Sequence, residues 1–164
     1  MDKEAVLERL EQIPLFSQIK KNAEYMDRLV KICKQRTYKK GDVIIGEGDI
    51  GSEMFIVLKG AVQILKQTRA GDSYTVIQLK AENNVFFGEL ALIDDDKRSA
   101  TVTASTDSEF LVITKSDFVS LGNKYPAIGL PVTREIAKII SSRLRKTTGD
   151  MLTIFDALVS EIKG

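Results

Sequence analysis

Five glycines, at positions 41, 46, 48, 51 and 60, cut the stretch RTYKKGDVIIGEGDIGSEMFIVLKGAVQIL into short β-branched and aromatic runs. Runs of this length between turn residues predict short strands rather than helices. The segment KQTRAGDSYTVIQL continues the pattern, with Ala70-Gly71-Asp72 as a hairpin turn, and SATVTASTDSEFLVIT supplies two more strands. Short strands at regular turn spacing close into a compact barrel or sandwich. A β-barrel is therefore expected over residues 37–114.

The flanks carry helical periodicity. Within residues 2–34, Val6, Leu7 and Leu10 share one face until Pro14 breaks it, and a second helix is expected near 22–34. Cys33 lies at helical spacing from Met26, Leu29 and Val30 and reads as a core residue. Thr114 and Asp117 fit a capping box, Pro126 suits a helix start, and Pro131 should kink or restart that helix. Ile136, Ile140 and Leu144 recur every four residues. Leu144, Thr148, Met151, Phe155, Leu158 and Ile162 then alternate by four and three, an a/d seam of fewer than three heptads. Two readings fit: an amphipathic helix packed on its own domain, or a helix that pairs with a second copy of the chain. Gly149 weakens a continuous helix by ~1 kcal/mol without forbidding it. The expected organisation is one domain over residues 1–164, with helices at 2–34, the barrel at 37–114 and helices at 115–163.

Composition narrows the chemistry. The chain has 24 basic and 23 acidic residues, a net charge of +1. That balance gives no electrostatic case for a nucleic-acid or membrane partner, and Arg134, Lys138, Arg143, Arg145 and Lys146 read as a solvated helix face. No apolar run approaches the ~20 residues a membrane span needs. The start, MDKEAVLERLEQIPLF, lacks the apolar centre of a signal peptide, so a cytoplasmic location is expected. There is no histidine and one cysteine. This removes Ser-His-Asp and Cys-His catalysis, intrachain disulfides, and zinc sites built on Cys or His. A carboxylate-only enzyme needs two convergent carboxylates, and no clear pair stands out. No enzyme activity, metal or cofactor is therefore expected.

The stretch GELALIDDDKRSATV, residues 88–102, carries the most chemistry. FFGELAL can form a strand end, a glycine turn and one helical turn, whose first N–H groups suit an anion. Gly88 permits close backbone approach. Arg98 can give a phosphate two parallel hydrogen bonds, Ser99 adds a hydroxyl, and Ala100 keeps the backbone accessible. Glu89 accepts hydrogen bonds and suits a hydroxyl donor such as a ribose. An anion element beside an acceptor describes a sugar phosphate, with the acidic turn DDDK as a solvated tip. The alternative is a Glu89–Arg98 salt bridge across a hairpin, with no ligand.

FGELALIDDDKRSATV resembles the phosphate-binding cassette of the cyclic-nucleotide-binding domain family, which includes the catabolite activator protein, regulatory subunits of cyclic-AMP-dependent protein kinase and cyclic-nucleotide-gated channels. KKGDVIIGEGDIGSEMFIVLKGAVQI is similar to that family's early strands and glycine turns, and DFVSLGNKYP to its first C-terminal helix. The likeness covers roughly residues 12–146. It implies an eight-stranded jelly-roll β-barrel flanked by helices. It also implies that Glu89 holds the ribose 2′-hydroxyl and Arg98 the cyclic phosphate, with Ser99 and the backbone around Gly88, Leu90, Ala91 and Ala100 completing the site. By rough alignment Ile64 and Val76 line the base. Aligning SRLRKTTGD to the long C-terminal helix by its Arg-Leu step, with an insertion of one turn, puts Thr147 and Thr148 at the base; otherwise they are solvated threonines near a helix end. The ligand expected is cyclic AMP, with cyclic GMP the alternative. Binding would act through the C-terminal helix on an effector protein or a homodimer. The competing expectations are a regulatory fragment of a larger channel, kinase or transcription factor, or a degenerate domain without ligand.

Overall fold

A computed structural model describes residues 2–68 and 73–163. The expected turn at Ala70-Gly71-Asp72 lies outside the described residues. The chain begins with α1 (Lys3–Gln12), capped by the Asp2 carboxylate, which accepts from the Glu4 N–H. Pro14 ends the first helical run and opens a 3-10 turn, Pro14–Phe16. Next comes α2 (Ala23–Ile32), capped by Asn22. It ends two residues earlier than its apolar spacing suggests, and Cys33 is its C-cap. The cysteine is buried, its thiol donates to Leu29 O, and burial pushes its pKa up to about 12.

Eight strands follow: β1 (Lys34–Tyr38), β2 (Val43–Ile45), β3 (Glu53–Lys59), β4 (Ala61–Gln67), β5 (Ser73–Lys80), β6 (Phe86–Phe87), β7 (Thr101–Ala104) and β8 (Ser108–Thr114). They form two antiparallel four-stranded sheets, ordered β1-β8-β3-β6 and β2-β7-β4-β5. First pairs with eighth, second with seventh, third with sixth and fourth with fifth, which is the jelly-roll pattern. β1 starts at Lys34, three residues before the expected boundary, because a polar strand carries little apolar signature. Lys34, Gln35 and Arg36 pair with Val112, Leu111 and Phe110.

Both faces of the first sheet are covered, so β3 and β8 read as unbroken apolar runs rather than alternating ones. Phe55, Val57, Phe110 and Val112 point between the sheets. Met54, Ile56, Leu111 and Ile113 point the other way, into the layer built by the helices. The inter-sheet core is aromatic. Phe87 stacks on Phe55 at 5.2 Å, and Phe110 meets both rings edge-on at 5.9 and 6.1 Å. Each such pair adds ~0.5–1.5 kcal/mol beyond its area, and the stack anchors the chain just before Gly88.

After the sheets, α3 (Lys115–Lys124) starts with the Thr114 hydroxyl accepting from the Asp117 N–H, as the capping pair predicts. Then α4 runs from Pro126 to Lys163. Pro131 lies inside it and does not restart it. The first half of α4 packs into the helical layer through Ile128, Val132 and Ile136, with Ile140 at its margin. From Ser141 to Ile162 every side chain is exposed except the half-buried Val159. The seam from Leu144 onward is therefore not packed on its own fold. No helix among the described residues is long and apolar enough to cross a membrane.

Candidate functional site

The chain leaves the aromatic stack at Phe87 and turns at Gly88, which holds φ +76, a left-handed value that side chains resist. A 3-10 turn, Glu89–Leu92, follows and closes through the Ala91 N–H to Gly88 O. This is the strand end, glycine turn and helical turn expected from FFGELAL. The acidic tip Asp94–Asp96 is exposed, and Lys115 of α3 holds it through Asp94 O at 2.8 Å and the Asp95 carboxylate at 2.7 Å.

The returning chain is fixed before it reaches β7. Arg98 N–H donates to Asp49 O at 2.8 Å, and Gly48 N–H donates to Arg98 O at 2.9 Å. The Arg98 guanidinium lies in a cradle of main chain. Its Nη2 donates to Glu53 O at 2.7 Å and its Nη1 to Gly88 O at 3.4 Å. A Cβ built on Gly51 would sit 2.6 Å from Nη2, and one on Gly88 would sit 3.0 Å from Nη1. Both glycines are thus needed where the guanidinium passes. Burial lowers the Arg98 pKa, while the charges of Glu53 and Asp94 oppose that shift. Among the described residues, only main-chain carbonyls accept from this half-buried guanidinium, which keeps its charge available to an incoming anion.

Glu89 is the only buried charged side chain among the described residues. Its carboxylate does not meet Arg98, so the cross-hairpin salt bridge is absent. It is paired instead with the guanidinium of Arg143, from α4. A buried carboxylate requires such a partner, because desolvating it alone costs several kcal/mol. Arg143 is thus not part of a wholly solvated basic face, as the run of basic residues suggests. The signal that finds it is its spacing: it follows Ile136 and Ile140 at steps of four and three, on the face of α4 that those residues share, although 59% of its side chain is exposed.

These groups open on one cavity of ≈ 450 Å³. Gly88, Glu89, Leu90, Ala91, Arg98, Ser99 and Ala100 all line it, and Ile64 and Val76 supply apolar wall on β4 and β5. Thr147 and Thr148 do not line it. Both are exposed on α4, beyond Arg143, and the Thr148 hydroxyl turns back to Leu144 O. Beside Ile64 and Val76, sequence reasoning missed Ile77 and Leu79, which complete the wall on β5. It also missed Glu53, whose contribution is a main-chain carbonyl that no residue type announces. Arg98, the Ser99 hydroxyl and the Glu89 carboxylate share this cavity with the aliphatic side chains of Ile64, Val76, Ile77 and Leu79, and with the charged residues Asp94, Asp96, Lys97 and Arg143. Such a cavity suits a compact anionic molecule with a hydroxyl and an apolar face.

The sequence profile of the cyclic nucleotide-binding domain matches residues 35–125. The chain is similar to the cyclic AMP receptor protein of Thermus thermophilus, 29% identical over 123 residues, covering 75% of this chain and 54% of that one. It is also similar to human cGMP-dependent protein kinase 2, 42% identical over 96 residues, which are 56% of this chain and 12% of the kinase. Among solved structures, the catabolite activator protein of Thermus thermophilus superposes with a TM-score of 0.73 at 28% identity, covering 84% of this chain and 61% of that one. The chain thus spans about half the length of the Thermus relative and a small part of the kinase. With more than half its length matched by the profile, and with the jelly roll and cavity in place, the chain belongs to the cyclic nucleotide-binding domain family.

Proposed function

We propose that the cavity binds a 3′,5′-cyclic nucleotide, with cyclic AMP the first candidate, and that the chain acts as a sensor rather than an enzyme. The observation that carries this reading is the juxtaposition of Arg98, which donates to two main-chain carbonyls, and the buried carboxylate of Glu89 in one cavity. Arg98 and Ser99 take the cyclic phosphate, Glu89 accepts from the ribose 2′-hydroxyl, and Ile64 and Val76 receive the base. A volume of ≈ 450 Å³ falls in the range of small-molecule sites. The relatives' names support the class: one is a receptor for cyclic AMP, another a kinase dependent on cGMP.

Arg143 gives the site an output. A ribose that engages Glu89 changes the carboxylate's contact with α4, so the ligand favours one position of that helix over another. The exposed end of α4 carries the change to a second copy of the chain or to an effector protein. In this reading the sensor works in the cytoplasm.

The test is isothermal titration of nucleotide-free protein with cyclic AMP, cyclic GMP and 5′-AMP. Micromolar or tighter binding of a cyclic nucleotide, with weak binding of 5′-AMP, is the expected result. Arg98→Leu should stay folded and lose roughly thirtyfold to several thousandfold in affinity, the equivalent of ~2–5 kcal/mol for one partner of a buried charged contact. Folded protein that binds neither cyclic nucleotide overturns the proposal. Thr147 and Thr148 reach the base only if α4 shifts toward the cavity; unchanged affinity in the Thr147→Val, Thr148→Val protein removes them from the site.

A further inference from the structure

Glu53 is placed awkwardly for a protein that takes a phosphate at Arg98. Its main-chain carbonyl is the shortest anchor of the Arg98 guanidinium, at 2.7 Å. Its carboxylate hangs from the same residue as that carbonyl, and its charge is felt at Arg98. A carboxylate so near is the natural competitor of a phosphate for a guanidinium. Yet it is turned away. Both of its oxygens accept from Arg36, Oε2 from Nη1 at 2.7 Å and Oε1 from Nη2. Arg36 belongs to β1 and reaches past β8 to do this, in a fork-to-fork geometry that a lysine cannot reproduce. The two residues are only partly exposed, at 40% and 25% of their side chains, so solvent screening between them is incomplete.

We infer that Arg36 keeps Arg98 available to an anion by holding the Glu53 carboxylate away from it. Arg36 and Glu53 are then positioning residues, and neither touches the ligand. The charge of Glu53 already acts on Arg98, as the chief effect opposing the shift that burial imposes. Releasing that carboxylate lets it close on Arg98 and occupy the donors a phosphate needs. The inference rests on the reading of the cavity as a phosphate site.

The test is a double-mutant cycle with two readouts. Cyclic AMP and cyclic GMP are titrated into wild type, Arg36→Leu, Glu53→Gln and the double variant. The Arg98 Nε–H resonance is recorded for the same four proteins without ligand. Arg36→Leu should bind roughly tenfold more weakly, and Glu53→Gln a few-fold more tightly than wild type. The double variant should lie nearer Glu53→Gln than Arg36→Leu. The Arg98 resonance should move in Arg36→Leu and return in the double variant. A merely structural ion pair predicts the reverse: a double variant at least as weak as Arg36→Leu, with the Arg98 resonance unmoved throughout. That result overturns the inference. If wild type binds neither nucleotide, the phosphate reading fails, and the Arg98 resonance alone decides whether Arg36 controls Glu53.

Discussion

Gly51 does not hold a left-handed φ, so left-handed strain is not what calls for glycine there. What it lacks is room, because Arg98 passes over the position a Cβ would take. The obstructing atoms belong to the end of a flexible side chain, which can move aside without disturbing the fold. Gly51→Ala should therefore unfold within about 1 kcal/mol of wild type, while its affinity for cyclic AMP drops by at least about tenfold. Chemical denaturation and titration on the same sample check both halves. A stable variant with wild-type affinity would show that the Arg98 cradle has slack. The residue scale also marks where sequence reading succeeds and fails. Glu89 and Arg98 stood out as the one glutamate and one arginine of residues 88–102, but residue chemistry alone left a plain salt bridge open, and only the cassette resemblance gave them roles. Gly51 and Glu53 were not, since a missing Cβ and a main-chain carbonyl reveal their purpose only when a distant side chain is laid across them.

Two helices meet at an unusually close contact. A Cβ added to Gly129 of α4 would lie 2.5 Å from the Cα of Gly122 in α3. The reverse addition is gentler, since a Cβ on Gly122 would sit 3.2 Å from the Cα of Gly129. Alanine gains up to ~1 kcal/mol of helix propensity over glycine, but backbone cannot yield as a side chain does. Gly129→Ala should thus be destabilising by ~1–3 kcal/mol through overpacking, and Gly122→Ala clearly less so. Thermal unfolding of the two variants reads the order directly, and equal midpoints would show that α3 and α4 separate freely. The elements themselves were largely readable. Glycine-bounded runs marked the strands, and Thr114 and Pro126 marked where α3 and α4 begin. The start of β1 escaped because Lys34, Gln35 and Arg36 have no apolar alternation to display. Arg143 escaped because it is one member of an exposed basic cluster, and only its contact with Glu89 sets it apart. Pro131 misled in part, since α4 absorbs it within its second turn.

At the scale of the whole molecule, α4 leaves the fold with an uncovered apolar seam. Leu144, Met151, Phe155, Leu158 and Ile162 are 53–84% exposed. Most helical stability in proteins comes from packing an apolar face, so this uncovered seam calls for a partner. A second copy of the chain offers the matching seam, so sedimentation equilibrium should find a dimer. Phe155→Glu with Leu158→Glu should shift it to monomer without lowering the stability of the jelly roll. Wild type that stays monomeric near 100 µM, about the upper range of weak self-association, would leave the seam to a different protein. The sequence carried the seam in its alternation of four and three, but not whether the seam folds back. That depends on where α4 points, which the packing of Ile128, Val132 and Ile136 decides.

The contact between Arg143 and Glu89 ties the middle of α4 to the wall of the cavity, and thermodynamics makes such a tie run in both directions. If a nucleotide at Glu89 alters the affinity of α4 for its partner by some factor, the partner must alter the affinity for the nucleotide by the same factor. A cell could then tune the apparent sensitivity of this chain without touching the cavity, by changing how much of whatever grips α4 is present. The concentration of nucleotide at which the chain responds would be a property of the assembly, not of the domain alone.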